Sequence, residues 1–164
     1  MDVTIEREAP DSPDGRALVS ELDAVLNPLY APEDRHGYDI ARLLQPGVEF
    51  FVARVNGAAA GCGAVHHLSS TGSDVAYGEV KRMFVRPGFR GLGLGRRILD
   101  RLVDRVREAG AGVVRLETGV HQHEAIGLYE SAGFREIPPF GSYPGAAVSR
   151  CYELRLEARQ TRDE

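Results

Sequence analysis

Cysteine is scarce in this chain, tryptophan is absent, and neither sign of charge dominates. Only Cys62 and Cys151 occur among 164 residues, and neither has a second cysteine at CxxC spacing. That excludes a disulfide scaffold and a cysteine-based metal or redox motif, and free thiols in a reducing compartment are expected instead. Lysine and arginine number 20 against 24 acidic residues, a formal net charge of −4, so no whole-protein basic field exists to gather nucleic acid or anionic lipid. The longest stretch without Asp, Glu, Lys or Arg, Val55 to Ser73, is interrupted by Asn56, Gly57, Gly61, Gly63, His66 and His67, and no membrane span is expected. The start, Met1-Asp2-Val3-Thr4, has neither a basic cluster nor an apolar run, which argues against a secretion leader and for a cytoplasmic protein. His66, His67, His121 and His123 lack the helical i, i+4 pairing of a metal site, and no metal is expected.

What the chain has is enough apolar residue, 43%, to build one core. Its length suits a single domain over residues 1–159 with a short tail at 160–164. Val3 to Glu8 alternates as a half-buried strand does, and Ser12-Pro13 supplies an N-cap and first residue for a helix carrying Leu18, Leu22, Val25, Leu26 and Leu29 on one face. A polar, aromatic segment, Tyr30 to Tyr38, reads as a surface loop, with a short helical piece at Ile40 to Leu44. Val48–Val55 and Ala58–His67 flank Asn56-Gly57, a tight hairpin signal. A third strand follows at Val75 to Val85. Leu94, Ile98, Leu99, Leu102, Val103 and Val106 recur at helical spacing up to the stop at Gly110 and Gly112. A strand at Val113–Glu117, a helix from Gln122 to Ala132, a short strand at Phe134–Ile137 and a last strand at Ser149–Leu156 complete a mixed α/β layout.

The segment Arg90-Gly91-Leu92-Gly93-Leu94-Gly95-Arg96 stands between a strand and the long helix. Glycines let backbone approach a ligand closely, and a helix start offers unpaired amides and about half a positive charge, a combination that binds phosphate. A dinucleotide fingerprint fits poorly, because Arg96 falls where its third glycine belongs. A P-loop fits poorly too, since Arg96 and Arg97 follow Gly95 in place of Lys and Ser/Thr. The third reading takes in three ordered pieces: Arg90-x-x-Gly93-x-Gly95, the preceding Glu79 to Pro87, and the trailing Leu128-Tyr129-Glu130-x-x-Gly133-Phe134. Together they resemble the GNAT (Gcn5-related) N-acetyltransferase superfamily, from about Cys62 to Pro139.

The resemblance implies a GNAT fold: an α/β (α+β) architecture whose central sheet is mixed, mostly antiparallel, V-shaped, and made of six to seven strands flanked by about four helices. It implies acetyl-CoA as cosubstrate, with the diphosphate held by Arg90, Gly91, Leu92, Gly93, Leu94, Gly95 and Arg96 and the pantetheine arm by the main chain at Met83, Phe84 and Val85. Acetyl transfer to a primary amine by direct attack follows, with a strand amide near Phe84 or Val85 meeting the oxyanion. The rival is a non-catalytic acyl-CoA sensor of the same fold.

Two proton tasks accompany that reaction, since an alkyl ammonium near pKa ~10 must lose a proton and the departing thiolate benefits from one. The resemblance offers Tyr129 as the acid, against core packing as its other role. The resemblance also offers Glu79 as the candidate base, since some members place a catalytic carboxylate eleven residues before the position of Arg90; it is on a strand face expected to be shared with Lys81, Met83 and Val85, and an ion pair with Lys81 or a neighbouring arginine is the alternative. Gln122 stands where the family often has asparagine, which puts a coenzyme contact there in doubt. Acceptor selection is expected from Tyr30, Arg35 and Tyr38 in one loop and Phe140 and Tyr143 in another, Arg35 facing a substrate carboxylate or merely belonging to a solvated charge run. A small-molecule amine is the expected partner. A homodimer is possible through the last strand.

Overall fold

In the computed structural model, residues 1–69 and 74–157 are described; the tail expected at 160–164 lies outside them. Seven strands form one sheet: β1 (Val3–Arg7), β2 (Val48–Val55), β3 (Ala58–Leu68), β4 (Tyr77–Val85), β5 (Val113–Gly119), β6 (Arg135–Ile137) and β7 (Ser149–Arg155). Their order is β1-β2-β3-β4-β5-β7-β6, and every pairing is antiparallel except β4 with β5. Among the described residues four α-helices accompany it, α1 (Pro13–Leu26), α2 (Ile40–Leu43), α3 (Leu94–Glu108) and α4 (His123–Ser131). No helix among the described residues is long and apolar enough to cross a membrane.

Local chemistry accounts for the boundaries. Ser12 Oγ accepts from the Gly15 amide at 3.0 Å and Pro13 opens α1. Asn56 and Gly57 both hold positive φ, 49° and 85°, as the tight turn joining β2 to β3 requires. The helix expected to run on to Leu29 ends at Leu26, because Pro28 forces a 3-10 turn over Asn27–Leu29. The six apolar residues predicted for the long helix are all buried in α3, each worth about 1.5–3 kcal/mol once removed from water. Gly78 lets this helix lie close on the sheet, since a Cβ there would stand 2.2 Å from Val106 Cγ2.

One expectation needs correction. The face shared by Glu79, Lys81, Met83 and Val85 is broken at Arg82, which takes φ 57° where the register against β3 slips between Cys62 and Ala64. A bulge of this kind inserts one residue and inverts the alternation beyond it. Val80, Met83 and Val85 therefore pack with α3, whereas Arg82 reaches Val19 and Asp23 of α1 and Phe84 packs with Leu18 and Leu22. β7 is inserted between β5 and β6: it pairs with β5 along its whole length and with β6 at Cys151, Tyr152 and Glu153.

Candidate active site

The parallel pair β4 and β5 touches in register at only two positions, Gly78 with Val114 and Glu79 with Arg115. From Val80 onward β4 has no ladder partner on that side, so the two strands diverge toward their carboxyl ends and open the sheet. The opening holds a cleft of about 280 Å3. Val80, Lys81, Arg82 and Met83 of β4 line one wall and Glu117, Thr118 and Gly119 of β5 the other, with Tyr129 of α4 at its side and α1 with the Tyr30–Gly37 segment across its mouth. Gly119 is what lets Tyr30 in, since a Cβ there would sit 1.8 Å from the phenol oxygen. The Tyr30 hydroxyl accepts from the His121 amide at 3.1 Å.

The glycine loop leads into α3; none of its residues lines the cleft, and Gly95 faces Leu128 of α4, the helix that carries Tyr129. Gly91 and Gly93 adopt φ 81° and 75°, and a Cβ added to either would meet nothing within 4 Å. Gly93 is the N-cap of α3 and offers no side chain to its amides. The first-turn N–H groups therefore have no helical partner, and the space before them is open. The donor set fits an anionic diphosphate through amides and the positive end of the helix dipole. Arg90 is exposed and donates to the Val85 carbonyl at 3.3 Å, while Arg96 pairs with Asp100 at 3.0 Å across one helical turn. Leu92 is exposed, and Leu94 is buried, so its contribution is its amide.

Tyr129 lines the cleft with its ring against Phe134, centroids 5.9 Å apart. Its hydroxyl has no protein hydrogen-bond partner among the described residues, and burial pushes the phenol well above its ordinary range. Glu79 has a different setting. It is buried and absent from the cleft lining; its Oε2 accepts from Lys81 Nζ at 3.2 Å and from the Tyr143 hydroxyl. Lys81 Nζ also donates to the Tyr143 oxygen at 2.6 Å and to the His36 carbonyl at 3.2 Å. The ion pair posed as the alternative is thus present.

The β5 wall of the cleft carries a carboxylate, Glu117, which sequence reasoning missed. Ser149 Oγ donates to its Oε1 at 2.9 Å. Burial nevertheless raises its pKa above the usual carboxylate value, with the Ser149 bond and the His36 and Lys81 charges opposing the rise. It was hidden because Val113–Gly119 is flanked on both sides and its alternation does not say which residue meets solvent.

Other expected residues are divided. Tyr30 and Arg35 line the cleft. Tyr38 does not: it is buried beneath it, donating to or accepting from His66 Nδ1 at 2.8 Å. Phe140 packs edge-on against Tyr77 and Tyr143 in a separate apolar cluster. Gln122 Oε1 accepts from the Gly119 amide at 2.9 Å, fixing the turn that enters α4. Cys62 is buried, its thiol pushed up to about 12 by burial, which removes it as a nucleophile.

The model of the acetyltransferase (GNAT) family matches residues 17–134. The chain belongs to the GNAT family. An IAA acetyltransferase of Azospirillum brasilense is 44% identical over 154 residues, 94% of this chain and 98% of that one. A solved acyl-CoA N-acyltransferase structure from Klebsiella pneumoniae superposes with TM-score 0.80 at 34% identity, covering 94% and 98%. The acetyltransferase yncA from Salmonella typhimurium, solved with its cofactor acetyl-CoA, has TM-score 0.68 at 26% identity, covering 99% of both. This GNAT protein is an acetyltransferase, and acetyl-CoA is its cosubstrate.

The loop geometry carries a direct prediction. Any side chain at Gly93 must hold a left-handed φ at a cost of about 1–2 kcal/mol or swing its peptide out of the cradle. Gly93→Ala is expected to weaken CoA binding about ten-fold, read by isothermal titration, with helical content by circular dichroism unchanged.

Proposed function

We propose that this GNAT protein acetylates the primary amine of a small molecule by direct attack on the thioester, with Glu117 as general base and Tyr129 as general acid. The observation that carries the reading is the cleft itself, where the strands part. One unpaired phenol and one carboxylate of raised pKa line it, next to a loop whose amides suit a diphosphate. When bound, acetyl-CoA supplies the acetyl group and a thiolate leaving group. Gly91 to Arg96 would hold its diphosphate, and the main chain of Met83, Phe84 and Val85, which has no ladder partner on the β5 side, would hold the pantetheine arm.

Glu117 takes the ammonium proton, directly or through one water, and a carboxylate whose pKa is raised toward neutrality is better matched to that task. Tyr129 keeps its proton because burial disfavours the phenolate, which suits it to protonate sulfur. Glu79 stabilises Lys81 and the Tyr143 loop. A small acceptor is supported by the size of the cleft and by the relative named as an IAA acetyltransferase. The two free, buried thiols suit a cytoplasmic setting.

Calorimetric titration with CoA and thiol release from acetyl-CoA over a panel of amines test the reading together. Binding with amine-dependent thiol release is expected. Binding without turnover on any amine would make the protein a sensor. The division of labour between the carboxylates is separable as well: Glu79→Gln leaves the Lys81 ammonium buried without its counter-charge, a loss of about 3–5 kcal/mol of stability. It is expected to lower Tm strongly in thermal denaturation while kcat, measured well below the new Tm, changes far less than for Glu117.

A further inference from the structure

The charges that line the cleft are incompletely balanced inside the protein. We infer from them that the acceptor is an amino carboxylate, a small molecule bearing a free carboxylate as well as the primary amine. The inference rests on the acetyl-transfer reading above and adds the acceptor's chemistry.

Three cationic side chains line the cleft, and their settings differ. Lys81 has Glu79 at 3.2 Å and Arg82 has Asp23 at 2.5 Å. Arg35 has no carboxylate partner among the described residues. Its guanidinium is instead fixed by two backbone carbonyls, Nε donating to Tyr30 at 3.1 Å and Nη2 to Asn27 at 2.8 Å. Two bonds orient the planar group and leave Nη1 free, a prepared donor of the kind that recognises a carboxylate. Asp34 and Glu117 line the same cleft without an ion-pair partner among the described residues. The unmatched charges are therefore of both signs, and a ligand that balances them carries both an ammonium and an anion.

Tyr30 relates the two ends. Its carbonyl holds Arg35 while its hydroxyl rests at Gly119 and His121, at the end of the strand that carries Glu117. Arg35 and the end of β5 are thus joined by the length of one tyrosine, a span for a small molecule.

A second observation points the same way. Buried polar atoms are normally hydrogen-bonded, yet three of them, His36 Nε2, Arg82 Nε and Thr118 Oγ1, have no partner among the described residues. All three belong to residues lining this one cleft, His36 next to Arg35 and Thr118 next to Glu117. The atoms themselves are shielded from solvent, so a ligand with polar groups at both ends reaches them only through a shift of the side chains that carry them.

The test is thiol release from acetyl-CoA with α-, β- and γ-amino acids, each paired with its own carboxamide, and with alkyl amines and short peptides alongside. The wild-type protein is expected to prefer a free acid over its carboxamide by about ten-fold or more in kcat/KM, the effect of one charge-assisted contact. The carboxamide's amine is the less basic of the two, so amine ionisation alone would favour the amide. Arg35→Met is expected to collapse the acid-to-amide ratio toward unity, chiefly through KM, and Arg35→Lys to retain part of it. Equal turnover of acids and carboxamides, a ratio that survives Arg35→Met, or acetylation confined to alkyl amines or peptides overturns the inference. Calorimetry with CoA keeps the two levels apart, since intact CoA binding with none of the amino acids acetylated sinks the acceptor class alone.

Discussion

Glu117→Gln is expected to lower kcat/KM on the order of 10²-fold or more at neutral pH, the usual worth of a general base, while CoA affinity measured by calorimetry stays unchanged. Glutamine preserves the size of the side chain and can still accept from Ser149 Oγ, so what is removed is the proton acceptor. The pH profile gives the finer signature. Activity in the wild-type protein rises as Glu117 ionises through its raised pKa; the variant loses that limb and keeps the rise that belongs to the acceptor amine. Stability must move in the opposite sense. A carboxyl whose folded pKa lies above its unfolded value of 4.5 binds its proton more tightly in the native state. Its favourable contribution is complete below the unfolded value and is lost as pH rises through the folded one. Glu117→Gln is therefore expected to melt at a higher temperature than wild type at pH 7.5, with the gap closing toward pH 4. A variant that loses activity and also loses stability at neutral pH would return Glu117 to a structural role.

Much of the scaffold was legible because it is written in local chemistry. Ser12-Pro13 at a helix start, Asn56-Gly57 between two strands and the six apolar residues of α3 each specify their own conformation within a few residues, and the structure has all three. The glycine loop was legible for the same reason, its two left-handed glycines standing directly before a helix. What escaped depends on partners far away in sequence. Glu79 is held by Lys81 two residues on, but also by Tyr143, which is 64 residues distant, and the loop carrying it has no pattern that announces the contact. The bulge at Arg82 is set by the slip against Cys62 and Ala64 and by an ionic contact with α1, so strand alternation carried the reading past a point where it inverts. Glu117 became a candidate only when the parting of β4 and β5 put one face of β5 on a cleft. Tyr143 escaped for a related reason: aromatic loop residues look alike in sequence, and only packing shows that its hydroxyl bonds the buried Lys81 while the Tyr38 ring lies 4.5 Å from the same ammonium.

Tyr129→Phe is expected to reduce kcat on the order of 10²-fold. The ring and its contact with Phe134 are retained, and no protein hydrogen bond among the described residues is lost with the hydroxyl. Thermal stability should therefore stay within about 1 kcal/mol of wild type, which separates catalysis from packing, the two roles a residue in this helix can have. The chemistry predicts where the loss should fall. A phenol protonating the departing sulfur matters most when the thiolate is basic and least when it leaves readily. An acetyl thioester of a more acidic thiol should recover part of the deficit in the variant, and its advantage over acetyl-CoA should be larger there than in wild type. Burial pushes the Tyr129 phenol upward, so the acid remains protonated throughout the accessible alkaline range, and wild-type activity is expected to show no alkaline decline from this group. A Tyr129→Phe protein with unchanged kcat, or a deficit indifferent to the leaving thiol, would remove Tyr129 from the proton path and leave it as part of the wall.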